Sequence, residues 1–100
     1  MAATLTAHAV NGRTEADAVF RGEGCSSPRP WSNEAGYAYG WHSHDFHKVL
    51  FCLDGEITFH LRDGDPDVRL DAGDRLDIEA GTEHAATVGA EGVSCVEAAR

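Results

Sequence analysis

The fold is decided by Gly36-Tyr-Ala-Tyr-Gly-Trp-His-Ser-His-Asp-Phe-His-Lys-Val-Leu-Phe-Cys-Leu-Asp-Gly55. The stretch carries His42, His44 and His47, three of the chain's six histidines, and its apolar run closes on Asp54-Gly55. His42 and His44 stand one residue apart, and in a strand residues i and i+2 share a face. Both imidazoles then point the same way, which is half of a metal site. Two core or surface histidines at a strand end would read identically, so the rest of the chain has to complete the site.

Downstream, the segment Phe46–Leu53 places Phe46, Lys48, Leu50 and Cys52 on one face and His47, Val49, Phe51 and Leu53 on the other. A strand that is apolar on both faces is covered on both. An interior would cover one; a helix, a second sheet or a dimer partner would cover the other. Further strands are expected over Glu56–Leu61, Val68–Leu70, Arg75–Ile78, Glu83–Val88 and Val93–Ala98, separated by turns at Asp54-Gly55, 63–66, 71–74, 80–82 and 89–92. Short strands at even spacing predict an all-β barrel or sandwich.

Upstream, Tyr37–His42 reads as a strand. Cys25 to Asn33, with two prolines and three serines, reads as an extended connector in which Trp31 is a packing anchor. Before it, Thr14 reads as the N-cap of a short helix whose apolar face is Ala16, Val19 and Phe20, stopped by Gly22 and Gly24. Thr4 to Val10 reads as a first strand. The chain thus divides into residues 1–35, which pack on the outside, and residues 36–100, which form the barrel.

Composition narrows the function. One hundred residues make one domain, and a net charge of −9 with eight scattered basic residues argues against nucleic acid and disfavours anionic membrane surfaces as partners. No apolar run reaches the ~20 residues of a membrane span. The N-terminus lacks the basic region and apolar core of a signal peptide. Cys25, Cys52 and Cys95 form no close pairing, which fits free thiols in a reducing, cytoplasmic setting.

A third histidine, His84, shares its strand face with Ala86 and Val88, small or apolar neighbours suited to an interior ligand. Three neutral imidazoles converging in a barrel, with positions left open, suit Zn, Fe, Mn, Ni or Cu. The glycine spacing then carries a resemblance. Gly36, five residues, His42-x-His44, three residues, Lys48, six residues and Gly55 follow the first motif of the cupin superfamily; Gly73, five residues, Glu79-x-Gly81, two residues, His84, three residues and Val88 follow the second. The chain resembles a small single-domain cupin over residues 36–97. The resemblance implies a small conical barrel (a double-stranded β-helix, jelly-roll-like), often dimeric, with one divalent metal on three histidines and a glutamate. It implies His42, His44 and His84 as metal ligands, a small-molecule ligand, and a homodimer. Oxygenase and isomerase activities are among those it implies; ligand or metal sensing and a metal-free anion-binding barrel are the non-enzymatic alternatives.

Lys48 departs from the pattern, since the family has glutamate there. Glu79 and Val88 also replace the family's proline and asparagine. A lysine beside a dication must lose its proton, swing away or replace the metal. A neutral lysine could serve as base or nucleophile, so Lys48 is the candidate catalytic residue. The plainer expectation is a lysine reaching solvent or paired with Glu79 or Asp77. Strand parity turns His47 away from His42 and His44 unless a bulge near Asp45 intervenes. Cys52 has the parity to line the cavity but reads more simply as a small buried hydrophobe. Tyr37, Tyr39 and Trp41 read as outer packing or a dimer interface, and His60 and His8 as surface residues.

Overall fold

The computed structural model describes residues 3–62 and 64–100. One end of the expected turn at 63–66, Asp63, lies outside them. Among the described residues seven antiparallel strands make one sheet: β1 (Ala3–Thr6), β2 (Ser26–Asn33), β3 (Ala38–His42), β4 (Lys48–Leu61), β5 (Val68–Asp71), β6 (Arg75–Ile78) and β7 (His84–Ala99). Helix α1 (Arg13–Gly22) joins β1 to β2.

Two long strands organise the sheet. β4 and β7 pair along their length, from Lys48↔Ala99 to Leu61↔His84. β6 flanks the first half of β4 and β5 the second; β3 flanks the first half of β7 and β2 the second. The register shifts at Cys52/Asp54 and Gly55/Ile57. Gly55 and Gly92 meet there, both at positive φ (77° and 75°), and a Cβ on Gly55 would sit 1.9 Å from the Gly92 carbonyl oxygen. Side chains from both ends of both strands line one cavity, Lys48 and Ala99 with Phe59 and His84, so the sheet folds over at this glycine pair.

The expected turns at Asp54-Gly55 and 89–92 are therefore bends inside continuous strands, and four expected strands are two. Asp-Gly is a strong hairpin signal, but here each glycine serves a bulge with a close backbone approach. The connector at 25–33 is also a paired strand: β2 lies at a sheet edge, where Pro28 and Pro30 are tolerated. The first strand is shorter than expected. The helix starts at Arg13 with Gly12 at the cap and no side-chain capping bond, so Thr14 falls in its first turn; Glu15 instead reaches back to the Asn11 N–H at 3.0 Å.

The fold-over gives β4 and β7 two different faces. The inner face packs Leu50, Cys52, Ile57, Phe59, Leu61, Ala86, Val88, Val93 and Cys95 with Leu70, Leu76 and Ile78. Parity switches from even to odd at the β4 bend, which keeps Leu50 and Ile57 on the same inner side. The outer face presents Val49, Phe51, Val96 and Ala98 to Val10, Ala16 and Phe20. Helix α1 is thus the cover that the two-sided apolar pattern required. Phe20 and Phe51 meet edge to face at 5.3 Å, both fully buried. Each such side chain contributes about 1.5–3 kcal/mol by burial.

Candidate metal centre

His42 is the last residue of β3 and His84 the first of β7; the two are register partners. His44 follows in the loop to β4, where its carbonyl accepts the Gly81 N–H at 2.7 Å. The His-x-His pair therefore straddles a strand end rather than opening a strand. One nitrogen from each of the three rings lies within 4.8 Å of the others. Ring centroids are 4.3 Å apart for His42 and His84, 5.0 Å for His42 and His44, and 5.3 Å for His44 and His84.

The backbone orients two of the rings. His42 Nδ1 lies 2.7 Å from the Gly40 carbonyl and His84 Nδ1 lies 2.9 Å from the Thr82 carbonyl. A carbonyl only accepts, so each Nδ1 donates, and each neutral ring keeps its Nε2 lone pair free. His44 Nε2 is buried with no hydrogen-bond partner among the described residues. Burial holds the His84 imidazole neutral, its pKa lowered to about 4, and burial with the neighbouring Lys48 charge lowers His44 in the same direction. Three imidazoles, two fixed by carbonyls and one with an orphaned buried nitrogen, are the donor set a divalent transition metal takes. The residues present fit a metal.

The histidines open on a cavity of about 680 Å³. Leu50, Ile57, Phe59 and Ala86 form its apolar side, and Trp31 and Tyr39 an aromatic one. Tyr39 thus departs from the outer packing expected of it. The β3 register shifts between Tyr39 and His42, so residues of opposite parity face the same cavity. Its hydroxyl accepts a hydrogen bond from Asn33 Nδ2. Tyr37 and Trp41 stay exposed, with the Arg62 guanidinium 4.5 Å over the Trp41 ring.

Lys48 lines the same cavity and is buried, at 7% exposure. Neither expected acid reaches it. Glu79 is exposed and Asp77 pairs with His47 and Arg75 on the outer face. Its partner is Glu97, 3.3 Å from Nζ. Glu97 and Arg29 are cavity residues that the sequence reading missed. The alternation of Val93, Cys95 and Glu97 against Val96 and Ala98 was the available signal, hidden by taking 89–92 for a turn. His47 sits on the outer face, 2.8 Å from Asp77, as parity requires. Cys52 does not line the cavity; it faces Cys95 across the β4–β7 ladder, and both thiols are buried and free. The Cys52 contact and burial raise the Cys95 pKa, so it packs as a thiol. His60 is half-buried, bonded to Thr87 and 3.1 Å from Asp67.

The cupin-domain family model matches residues 32–96, well over half of the chain. The chain is a cupin. Solved structures agree on the fold. A cupin superfamily protein of Desulfitobacterium hafniense is 18% identical, with a TM-score of 0.64 over 72% of this chain and 63% of that one. A DUF861 family protein of Thermotoga maritima is 16% identical, with a TM-score of 0.67 over 95% and 96% of the two chains. The DMSP lyase DddQ of Ruegeria pomeroyi is 27% identical, with a TM-score of 0.67 over 73% of this cupin and 36% of the lyase. This cupin therefore spans about a third of the lyase and under two thirds of the Desulfitobacterium protein. A search of curated proteins found no match. Among the described residues no helix is long and apolar enough to cross a membrane.

Proposed function

We propose that this cupin takes up one divalent transition metal on His42, His44 and His84 and uses it to bind and transform a small molecule in the adjoining cavity. The observation that carries the reading is the buried, partnerless Nε2 of His44 among two rings whose Nδ1 atoms are held by carbonyls. A buried polar atom left without a partner costs about 1–3 kcal/mol, which a bound metal would offset. When bound, such a metal supplies a Lewis acid with open positions for a ligand oxygen. The chain's own residues do the rest: the Gly40 and Thr82 carbonyls fix the rings, and Leu50, Ile57 and Phe59 exclude water from one side.

Oxygenase chemistry is the first activity to assay. Lyase chemistry is the second, supported by the likeness to a DMSP lyase. A non-catalytic sensor of a metal or ligand is the competing reading, favoured by one observation: lysine stands where the family's carboxylate ligand belongs. Elemental analysis of untagged protein should find one equivalent of metal, lost in His84→Ala. Less than a tenth of an equivalent, with none gained on reconstitution, would sink the metal reading. Oxygen consumption with thiols, catechols and diketones then separates the oxygenase from the sensor.

A further inference from the structure

The cavity contains a second cluster of polar groups that the histidine centre does not use. Lys48 is buried, yet its ammonium faces the cavity and its ion pair with Glu97 is the one polar contact it makes among the described residues. An ammonium has three N–H donors and no acceptor, and buried donors require partners. Glu97 cannot satisfy it alone, because Glu97 is shared. Its Oε1 accepts the Trp31 indole N–H at 2.8 Å, and its Oε2 lies 3.4 Å from Arg29 Nη2 as well as 3.3 Å from Lys48 Nζ. Two cations thus share one carboxylate, which leaves the cluster with one uncompensated positive charge.

The neighbouring imidazoles add no negative charge, and burial keeps His84 neutral. A metal on them would add positive charge. This happens in a chain whose net charge is −9, so the cavity opposes the sign of the whole molecule. Local fields of that kind select ligand charge. The Arg29 side chain is 74% exposed and stands at the mouth, where it can meet an entering anion. Beyond the charges, Leu50, Ile57, Phe59 and Ala86 supply an apolar wall.

We propose that Lys48 and Arg29, held around Glu97, form an anion subsite that recognises the carboxylate of a small ligand with a short apolar body. This rests on the reading of the histidine cavity as the ligand site, and it names the class of molecule that enters. One net positive charge suits a monoanion. Lys48 then serves binding, and lysine at the family's glutamate position exchanges a metal ligand for a ligand-binding group.

The test uses the full chain, with and without added zinc, and titrates it calorimetrically with hexanoate and with hexanamide, its uncharged counterpart. Zinc stoichiometry is measured on the same samples. Hexanoate should bind at least about tenfold more tightly than hexanamide, since a charge-assisted bond is roughly twice as strong as a neutral one. Lys48→Met should abolish that preference, Lys48→Arg should retain it, and Arg29→Gln should weaken it about threefold. Lys48→Met leaves Glu97 with one cation fewer and could fail to fold; the triple variant Arg29→Gln/Lys48→Met/Glu97→Gln removes all three charges together, leaves no uncompensated cation, and carries the same prediction. Equal binding of the two probes by the wild type, or a hexanoate preference that survives in the triple variant, would overturn the subsite. A Lys48-dependent preference in protein that takes up no zinc would keep the subsite and overturn the metal reading. Zinc uptake with no carboxylate preference would do the reverse.

Discussion

The outer and inner sides of the folded sheet treat their polar groups differently. On the outer face, among the described residues, the charges around Arg75 answer one another. Arg75 reaches Glu23 at 2.6 and 2.8 Å and Asp77 at 2.8 Å; Asp77 also meets His47, and Glu23 also meets Arg100 at 2.9 Å. The network ties the end of α1 to β6 and to the C-terminal residue. On the inner face, His44 Nε2 has no partner and Lys48 shares a single carboxylate with Arg29. A saturated network fixes a structure, whereas an unsaturated one is ready to receive something. On the proposed function, the difference makes the outer polar network structural and leaves the inner polar groups for a ligand.

The comparison predicts separable losses. The largest belongs to His84→Ala, which should lower metal affinity by more than about 100-fold, beyond what loss of an outlying partner costs. Its circular dichroism spectrum should stay that of the wild type. A variant that keeps its metal equivalent would dissolve the functional half of the contrast. Phe20→Ala should act in the opposite sense. Removing a fully buried ring from beneath the helix should cost about 3–5 kcal/mol in urea unfolding, with metal stoichiometry at one equivalent. Coupled loss of stability and metal would mean that the faces are not independent.

Arg75→Met should cost less, about 2–3 kcal/mol, because it strips Glu23 and Asp77 of a charged donor. The smallest effect is one of pH. Arg75 and then Arg100 hold the Glu23 carboxyl down to about 2 from 4.5. A depressed carboxylate contributes stability above its unfolded pKa and loses it as pH falls through the folded one. Wild-type stability should therefore decline between pH 4.5 and about 2, and Glu23→Gln should flatten part of that decline. With the side chain 31% exposed, the contribution is ~1 kcal/mol or less. Identical acid profiles would show that this end of the network is screened.

What was legible in the sequence follows the same division. Local periodicity was enough to separate His42, His44 and His84 from His47, and to require a cover over Val49 and Phe51. Both readings depend on alternation along a few residues. What failed depended on partners distant in the chain. Nothing near Asp54-Gly55 announces Gly92, so a bulge was read as a turn. That error then concealed Glu97, because facing cannot be carried past a bend of unknown register. Pro28 and Pro30 likewise read as a connector until β2 was found at a sheet edge. Lys48 departs from the family pattern in plain view, but its partner Glu97 lies on the other long strand, opposite Leu50.

The meeting of Gly55 with Gly92 also acts as a ruler. The stretch from Lys48 to Gly55 and the stretch from Gly55 to Leu61 are two arms of one folded page, and their lengths set how far the rim stands above the crease. Adding two residues to one arm and its ladder partner would raise the rim by about 6–7 Å and leave every side chain on its own side. Adding one would turn the arm over beyond the insertion, exchanging cavity for surface. Cavity depth in this architecture can therefore change only in paired, even steps.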